Sequence, residues 1–263
     1  MQLFLSPRRN DSSVAIEQAA HEAGWAVHRL TNWRVPDSFT DDGTGITAYG
    51  EPLFVAAIAE SLNFALIEPT FSWLPDLPER YVKRKLELTT LQEARKYPTR
   101  VFAKPADDKC FSAKVYDSGS SIECKSIYIE KSPAILSEVV DWETEYRFFV
   151  LDRTVMCSSL YSCNGEFVRE LTVEMTADAK ECAKFTQELL DDWSVPLPPA
   201  LVIDVGFICD RGWAVVEANP AFGAGIYMCA PEKVLPVLAR SLVPVKQLTL
   251  ADERWVLKRT EYS

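Results

Sequence analysis

The chain has 263 residues, of which 48% are hydrophobic and 25% are charged, values typical of a globular protein. They exclude a disordered or fibrous protein and leave room for one large domain or two lobes. Asp and Glu outnumber Lys and Arg by 38 to 28, and the resulting net charge of −10 argues against a nucleic-acid partner. No apolar run approaches the roughly 18–20 residues that cross a membrane, and residues 1–10 lack the pattern of a signal peptide. We therefore expect a cytoplasmic protein with no nucleic-acid or membrane partner.

Cysteine and histidine offer little material for a metal or catalytic site. The seven cysteines are scattered along the chain and never spaced as CxxC, which favours reduced thiols over a zinc site or a disulfide framework. The two histidines, His21 and His28, leave little for a Ser-His-Asp triad.

The first 67 residues alternate between strand-like and helix-like segments. Strands are predicted at residues 3–5, 25–30 and 64–67, and helices at residues 12–23 and 52–62. This alternation is typical of a small α/β layer with parallel strands. Arg8 and Arg9 follow the first strand, at the edge where such layers bind ligands, so they are candidates for a substrate carboxylate, with plain solvation as the alternative. A proline-rich stretch at residues 68–78 ends the pattern and is the predicted domain boundary.

The remainder of the chain is richer in predicted strands. A helix is predicted over residues 79–96, and an amphipathic helix over residues 177–193, where apolar side chains recur at helical spacing. Residues 151–154 predict a hairpin turn. Strands are predicted at residues 100–104, 114–116, 127–130, 134–140, 146–151 and 154–161.

Two apolar segments, residues 201–208 and 213–220, flank a turn and predict a β-hairpin. If residues 209–212 form the loop, Ile208 lies opposite Trp213 and Asp204 lies opposite Glu217. Since side chains alternate between the faces of a strand, Asp204, Glu217 and Asn219 then share one face. Two facing carboxylates repel, and a divalent cation would relieve that repulsion; oxygen ligands of this kind suit Mg²⁺. The alternative is a solvated strand face with two unrelated acids.

Two further elements stand upstream of this hairpin. Lys104 ends an apolar strand and is followed by Pro105, where its ammonium could reach a phosphate or simply extend into solvent. The strand that ends at Glu138, Val139 and Val140 leads into an acid-rich segment that contains Glu145.

In this order the three elements resemble the ATP-grasp superfamily over about residues 70–240. The resemblance implies an α/β fold that is α+β in its C-terminal part, preceded by a small N-terminal α/β domain. The expected units are an N-terminal domain (residues 1–70), an ATP-grasp domain (71–245) and a tail (246–263). Within the ATP-grasp domain, a small nucleotide-covering lobe (about 98–140) would precede a larger lobe with the metal site (about 141–245).

The resemblance also implies roles for particular residues. Lys104 would contact the nucleotide phosphates, as would an earlier lysine, for which Lys83 and Lys85 are candidates and Lys85 is preferred. The hinge motif, whose backbone holds adenine, would comprise Glu138, Val139 and Val140, and Glu145 would bind the ribose. The Mg²⁺ ligands would be Asp204, Glu217 and Asn219.

One segment departs from the family pattern. A glycine-rich loop that covers the phosphates is expected between Lys104 and Lys114, but residues 106–113 contain no glycine. Lys109, Ser112 or Lys114 would then supply the phosphate contacts.

The resemblance is to ATP-grasp ligases, which use ATP and Mg²⁺ to join a carboxylate to an amine. The carboxylate attacks the γ-phosphate, and the amine then displaces phosphate from the acyl phosphate while ADP is released. Arg147 is the candidate for holding the transferred phosphate or the carboxylate; a salt bridge to Glu143 or another surface acid is the alternative. The expected partners are small-molecule or peptide carboxylates and amines, with a homodimer in keeping with the family. Two other functions stay open: a phosphotransferase that uses the same ATP site, and a catalytically idle nucleotide-binding or interaction module.

Overall fold

The computed structural model describes residues 1–106, 110–124, 130–170 and 178–257, and its fold begins with a parallel three-stranded sheet. The central strand β1 (Gln2–Leu5) lies between β2 (Ala26–Arg29) and β3 (Ile46–Tyr49). Helix α1 (Asp11–Glu22) connects β1 to β2, and α2 (Pro52–Leu62) follows β3. The predicted α/β layer, its two helices and its first two strands are confirmed.

The third strand of this sheet is not the predicted one. The segment predicted at residues 64–67 forms β4 (Phe64–Leu66), which pairs antiparallel with β14 (Leu242–Pro244) in a separate sheet. Asn63 adopts a left-handed conformation (φ 57°) that ends α2 and redirects the chain. The true third strand is only four residues long and fully buried, so it carries no alternating pattern that could have revealed it.

The helix predicted over residues 79–96 is also wrong. The structure has a short helix α3 (Glu79–Val82), a strand β5 (Leu86–Thr90) and a short helix α4 (Leu91–Ala94). Lys83 ends α3 in the left-handed region (φ 48°), and the Thr90 hydroxyl caps α4 by accepting a hydrogen bond from the Glu93 N–H. In between, Leu86 and Leu88 alternate with polar residues at the period of a strand.

A four-stranded antiparallel sheet, the small sheet, follows with the order β5-β8-β6-β7. Its further members are β6 (Val101–Pro105), β7 (Lys114–Tyr116) and β8 (Pro133–Ser137). The strand predicted over residues 134–140 therefore ends at Ser137. The strand predicted at residues 127–130 falls almost wholly outside the described residues.

A five-stranded antiparallel sheet, the large sheet, has the order β11-β10-β9-β12-β13. Helix α5 (Ala179–Asp191), which lies within the predicted range 177–193, packs on one face, and α6 (Pro231–Ser241) packs on the other. Because α6 also contacts α1 and β3, it joins the large sheet to the N-terminal layer. The strands are β9 (Trp142–Leu151), β10 (Thr154–Cys163), β11 (Glu166–Phe167), β12 (Ala200–Ile208) and β13 (Gly212–Asn219), and a last short helix, α7 (Leu250–Glu253), follows β14.

The predicted turn at residues 151–154 is confirmed, with Asp152 and Arg153 both at positive φ between β9 and β10. Within the described part of the chain, no helix is both long and apolar enough to cross a bilayer.

Candidate functional site

The hairpin of β12 and β13 brings Asp204 and Glu217 opposite each other, as predicted, but by a different register. Near the turn the pairing is one residue off the prediction: Ile208 lies opposite Gly212, and Phe207 lies opposite Trp213. A β-bulge then adds one residue to β13 before Glu217, which restores the expected pairing. The facing carboxylates therefore depend on a local irregularity of the strand.

Arg84 holds this bulge in place, and the sequence did not single it out. Its guanidinium donates to the carbonyl oxygens of Val215 (2.7 Å) and Val216 (2.8 Å) and to the Ser137 hydroxyl of the small sheet (3.2 Å). Burial lowers the pKa of Arg84 to about 10, while nearby Glu217 and other carboxylates oppose that fall. Because residues 79–96 were predicted to form one helix, all of its cations were expected on an exposed face.

Asp204 is fully buried and paired with Arg147 of the neighbouring strand β9. Both carboxylate oxygens accept hydrogen bonds from this arginine, Oδ1 from Nε at 2.8 Å and Oδ2 from Nη2 at 2.6 Å. Burial raises the pKa of Asp204 to about 6, although the guanidinium acts in the opposite direction. The partner of Arg147 is thus a buried acid rather than the surface acid considered as its alternative.

Arg147 makes further contacts around this pair. Its Nη1 donates to the Gly225 carbonyl oxygen at 3.0 Å, and its guanidinium lies over the rings of Tyr161 and Tyr227. These two rings stack on each other with centroids 4.8 Å apart. The guanidinium is therefore fixed from several sides.

Lys104 and Glu217 form a second ion pair that bridges the small and large sheets. The Lys104 Nζ lies 2.6 Å from Glu217 Oε2, and the Asn219 amide donates to Glu217 Oε1 at 2.8 Å. Burial acts to raise the pKa of Glu217, but Lys104 and Asn219 outweigh it and the pKa falls to about 2. Two carboxylates and two cations thus meet at one place, each acid neutralised by one base.

A cleft of about 1630 Å³ opens between the two sheets and the N-terminal layer. It collects some of the predicted site residues and leaves out others. Its walls include Lys104, Lys114, Arg147, Glu217 and Asn219, together with residues 110–113 of the expected covering loop. Lys109 of that loop lies outside the described residues.

The other predicted site residues lie behind or beside the cleft walls. Asp204 is buried behind Arg147, and Glu145 accepts a hydrogen bond from the Tyr161 hydroxyl at 2.9 Å. Lys85 is exposed, and Lys83 lies near the ring of Phe185.

At the hinge, the Glu138 carboxylate accepts from Arg211 at 2.6 Å and from the Lys85 N–H at 3.2 Å. The hydrogen bond from Arg211 is the main reason that the pKa of Glu138 falls to about 2. The backbone of Glu138 is engaged as well, since its N–H donates to the Lys85 carbonyl and its own carbonyl accepts from the Ser137 hydroxyl. Of the predicted hinge residues, Val139 and Val140 are left to offer backbone groups to a base.

The donor set suits a hard cation, because it consists of the oxygens of Asp204, Glu217 and Asn219. Each Asp204 oxygen keeps a lone pair beyond its bond to Arg147, and Glu217 keeps acceptor capacity beyond its bonds to Lys104 and Asn219. Within the described ranges, no group of three or more His, Cys, Asp or Glu side chains could hold a metal ion. The amide of Asn219 is therefore an essential part of the proposed ligand set.

Residues 81–237, more than half of the chain, match the model of an ATP-grasp domain family, the second family of its clade. The chain belongs to the ATP-grasp family. None of the curated proteins compared with this ATP-grasp chain matches its sequence.

Several solved ATP-grasp structures are similar in fold. The RimK domain ATP-grasp protein from Sphaerobacter thermophilus superposes with a TM-score of 0.52 at 12% identity, over 90% of this chain and 99% of that chain. D-cycloserine synthetase DcsG gives 0.49 at 14% identity, over 91% and 99%. Macrocyclase MdnC from Microcystis aeruginosa, bound with its precursor peptide MdnA, gives 0.48 at 11% identity, over 92% and 100%. At these identities the likeness concerns the fold alone.

Proposed function

We propose that this ATP-grasp protein is an ATP- and Mg²⁺-dependent carboxylate–amine ligase that forms an acyl phosphate and releases ADP. The observation that carries the proposal is the Lys104–Glu217 ion pair, which joins the two sheets at the wall of the cleft. A nucleotide between the sheets would meet a cation from one sheet and carboxylates from the other. Phosphoryl transfer requires this kind of charge neutralisation more than covalent help from the protein.

Lys104 and Lys114 would bind the phosphates, since both ammonium groups belong to the cleft wall. When Lys104 donates to a phosphate oxygen, Glu217 loses its cation and is left beside Asn219. These two side chains, with Asp204 of the opposing strand, would then hold Mg²⁺. The ion supplies charge neutralisation to the phosphates. The backbone of Val139 and Val140 would hold the base and Glu145 the ribose, with Lys85 outside the cleft.

Arg147 would hold the transferred phosphoryl group or the substrate carboxylate. Its Nε and Nη2 are occupied by Asp204, which leaves the Nη1 side, near Gly225, toward the cleft. Asp204 fixes the plane of the guanidinium, so the group is positioned before any substrate enters. The carboxylate would attack the γ-phosphate, and an amine would then displace phosphate from the acyl phosphate.

The proposal predicts that Mg-ATP stabilises the wild-type protein and fails to stabilise Glu217→Gln. A ligand at 100 times its Kd adds about 2.7 kcal/mol, which corresponds to several degrees in Tm for a protein of this size. Thermal unfolding with and without Mg-ATP measures the shift. Glu188→Gln, an exposed acid on α5, is the control and keeps the full shift. An equal shift in Glu217→Gln would remove Glu217 from the site.

ADP release then separates the ligase from its two alternatives. A ligase releases ADP only when a carboxylate and an amine are both supplied, whereas a phosphotransferase forms ADP with no amine present. A catalytically idle module would bind the nucleotide or a partner and release no ADP under either condition.

A further inference from the structure

Two charged residues lie together at the carboxyl edge of the parallel sheet. Arg8 follows β1 and Glu51 follows β3, and these two strands are direct neighbours. Both residues line the same cleft as Lys104 and Glu217. The carboxyl edge of a parallel sheet is where open α/β layers bind ligands.

Glu51 carries an unsatisfied oxygen at this edge. Its Oε2 is buried, and no described residue donates a hydrogen bond to it. Glu51 is the N-cap residue of α2, yet its side chain makes no capping hydrogen bond, so the usual structural role of an acid at a helix start does not explain it. A buried acceptor without a donor calls for a donor from outside the chain.

Arg8 is available to an anion beside it. Its side chain is 74% exposed, and its ion pair is a loose one, with Nη1 3.9 Å from Glu51 Oε1. Arg9 differs, because it pairs with Glu17 at 3.3 Å and does not line the cleft. The pair of Arg8 and Glu51 thus offers a cation and a carboxylate, side by side, to one ligand.

The wall next to these charges is apolar. Leu53 is 50% exposed and Trp33 is 46% exposed, and both line the cleft with Arg8 and Glu51. The cleft, at about 1630 Å³, exceeds the roughly 300–1,000 Å³ of a pocket for one small ligand. There is room for a second substrate beside a nucleotide.

We propose that Glu51 and Arg8 bind a free α-amino acid with an apolar side chain. Glu51 Oε2 accepts from the ammonium, Arg8 donates to the α-carboxylate, and the side chain packs against Leu53 and Trp33. Its role as the amine substrate rests on the proposed ligase function, because a carboxylate held by Arg8 is not the one that is activated. The binding itself does not depend on that function.

Calorimetric titration with three ligands of one skeleton tests the site. Leucine carries both charges, leucinol only the ammonium and 4-methylpentanoate only the carboxylate. Glu51→Gln is expected to weaken leucine and leucinol about tenfold or more and to leave 4-methylpentanoate unchanged, since a hydrogen bond to a charged group is lost. Arg8→Ala is expected to weaken leucine and 4-methylpentanoate and to leave leucinol unchanged. Arg9→Ala binds all three ligands as the wild type does.

Each titration is run with and without the nonhydrolysable nucleotide AMP-PNP and Mg²⁺, and the Tm of each unliganded variant confirms folding. Leucine that binds equally to wild type and Glu51→Gln, or that fails to bind wild type under both conditions, would overturn the proposal. Nucleotide binding without leucine binding leaves the proposed function standing and removes this site. Leucine binding with the crossed pattern and no nucleotide binding does the reverse.

Discussion

Arg147 is the residue on which most of the site's contacts converge. It neutralises the fully buried Asp204 through two hydrogen bonds, donates a third to Gly225 and lies over two tyrosine rings. The paired geometry requires the planar fork of a guanidinium, which a lysine does not provide. A buried charge of this kind is tolerated only while its partner is present.

Replacing one member of this pair should therefore cost more than replacing both. Arg147→Met leaves the buried Asp204 carboxylate without a partner, and we expect a loss of about 3–5 kcal/mol in the free energy of unfolding. Arg147→Met combined with Asp204→Leu removes both charges and should lose less than the single variant. Urea unfolding of the two single variants and the double variant measures this. A double variant whose loss equals the sum of the single losses would show that the two side chains do not act as a pair.

At the scale of elements, the bulge in β13 decides which side chain faces Asp204. Arg84 reaches across from the segment between α3 and β5 to the two carbonyl groups at the bulge, and to Ser137 at the end of β8. It thus links the small sheet, the large sheet and the register of the hairpin. A third carbonyl, that of Val82, accepts from the same guanidinium at 3.0 Å.

Arg84→Lys should destabilise the fold, because a single ammonium cannot replace a fork that donates to three carbonyls and a hydroxyl. Loss of one or two such bonds to a charged donor is expected to lower the free energy of unfolding by about 2–4 kcal/mol. Lys85→Ala, an exposed neighbour, should change it by less than about 0.5 kcal/mol. Urea unfolding compares the two variants with wild type, and similar losses in both would argue against a structural role for Arg84.

The elements that the sequence predicted well are those whose determinants are local. The hairpin of β12 and β13 could be inferred because two apolar runs flank a short turn, and Asp204, Glu217 and Asn219 lie within it. The bulge was not foreseeable, because its support comes from Arg84, more than 130 residues away in sequence. The predicted loop 209–212 was one residue too long for the same reason.

Long-range partners also explain the other differences. Phe64–Leu66 has the composition of a strand, but its partner Leu242–Pro244 lies at the other end of the chain, so the sheet to which it belongs was not visible. The pairing of Glu51 with Arg8 depends on two strands being neighbours, one of which was missed. The predicted Lys104 and Glu217 do meet, across 113 positions of sequence.

At the scale of the whole molecule, the excess of acids makes stability depend on pH. The pKa of Glu138 is about 2 in the fold, below its ordinary value of 4.5, and so is that of Glu217. A carboxyl group whose pKa falls on folding stabilises the fold above pH 4.5 and loses that contribution as the pH drops toward 2. Asp204 acts in the opposite sense: its raised pKa gives a contribution that is present below pH 3.8 and is lost as the pH rises through about 6.

We expect the free energy of unfolding to fall between pH 4.5 and pH 2, and Glu138→Gln to make that fall less steep. The variant has no carboxylate to protonate beside Arg211, so wild type and variant should differ most at neutral pH and converge near pH 2. Urea unfolding at a series of pH values measures the two curves. Parallel curves over that range would mean that the hydrogen bond between Glu138 and Arg211 does not form in solution.

The pairing of β4 with β14 bears on how the protein acquires its fold during synthesis. The Thr47 hydroxyl donates to the Leu238 carbonyl, and the N–H groups of Ile67 and Glu68 donate to Ser241 and Trp255, all next to that pairing. On the ribosome, the first 66 residues therefore emerge long before the segment that completes their packing. The N-terminal layer must wait, partly unfinished, until both larger sheets have been translated, which ties the folding of the amino-acid site to the completion of the nucleotide cleft.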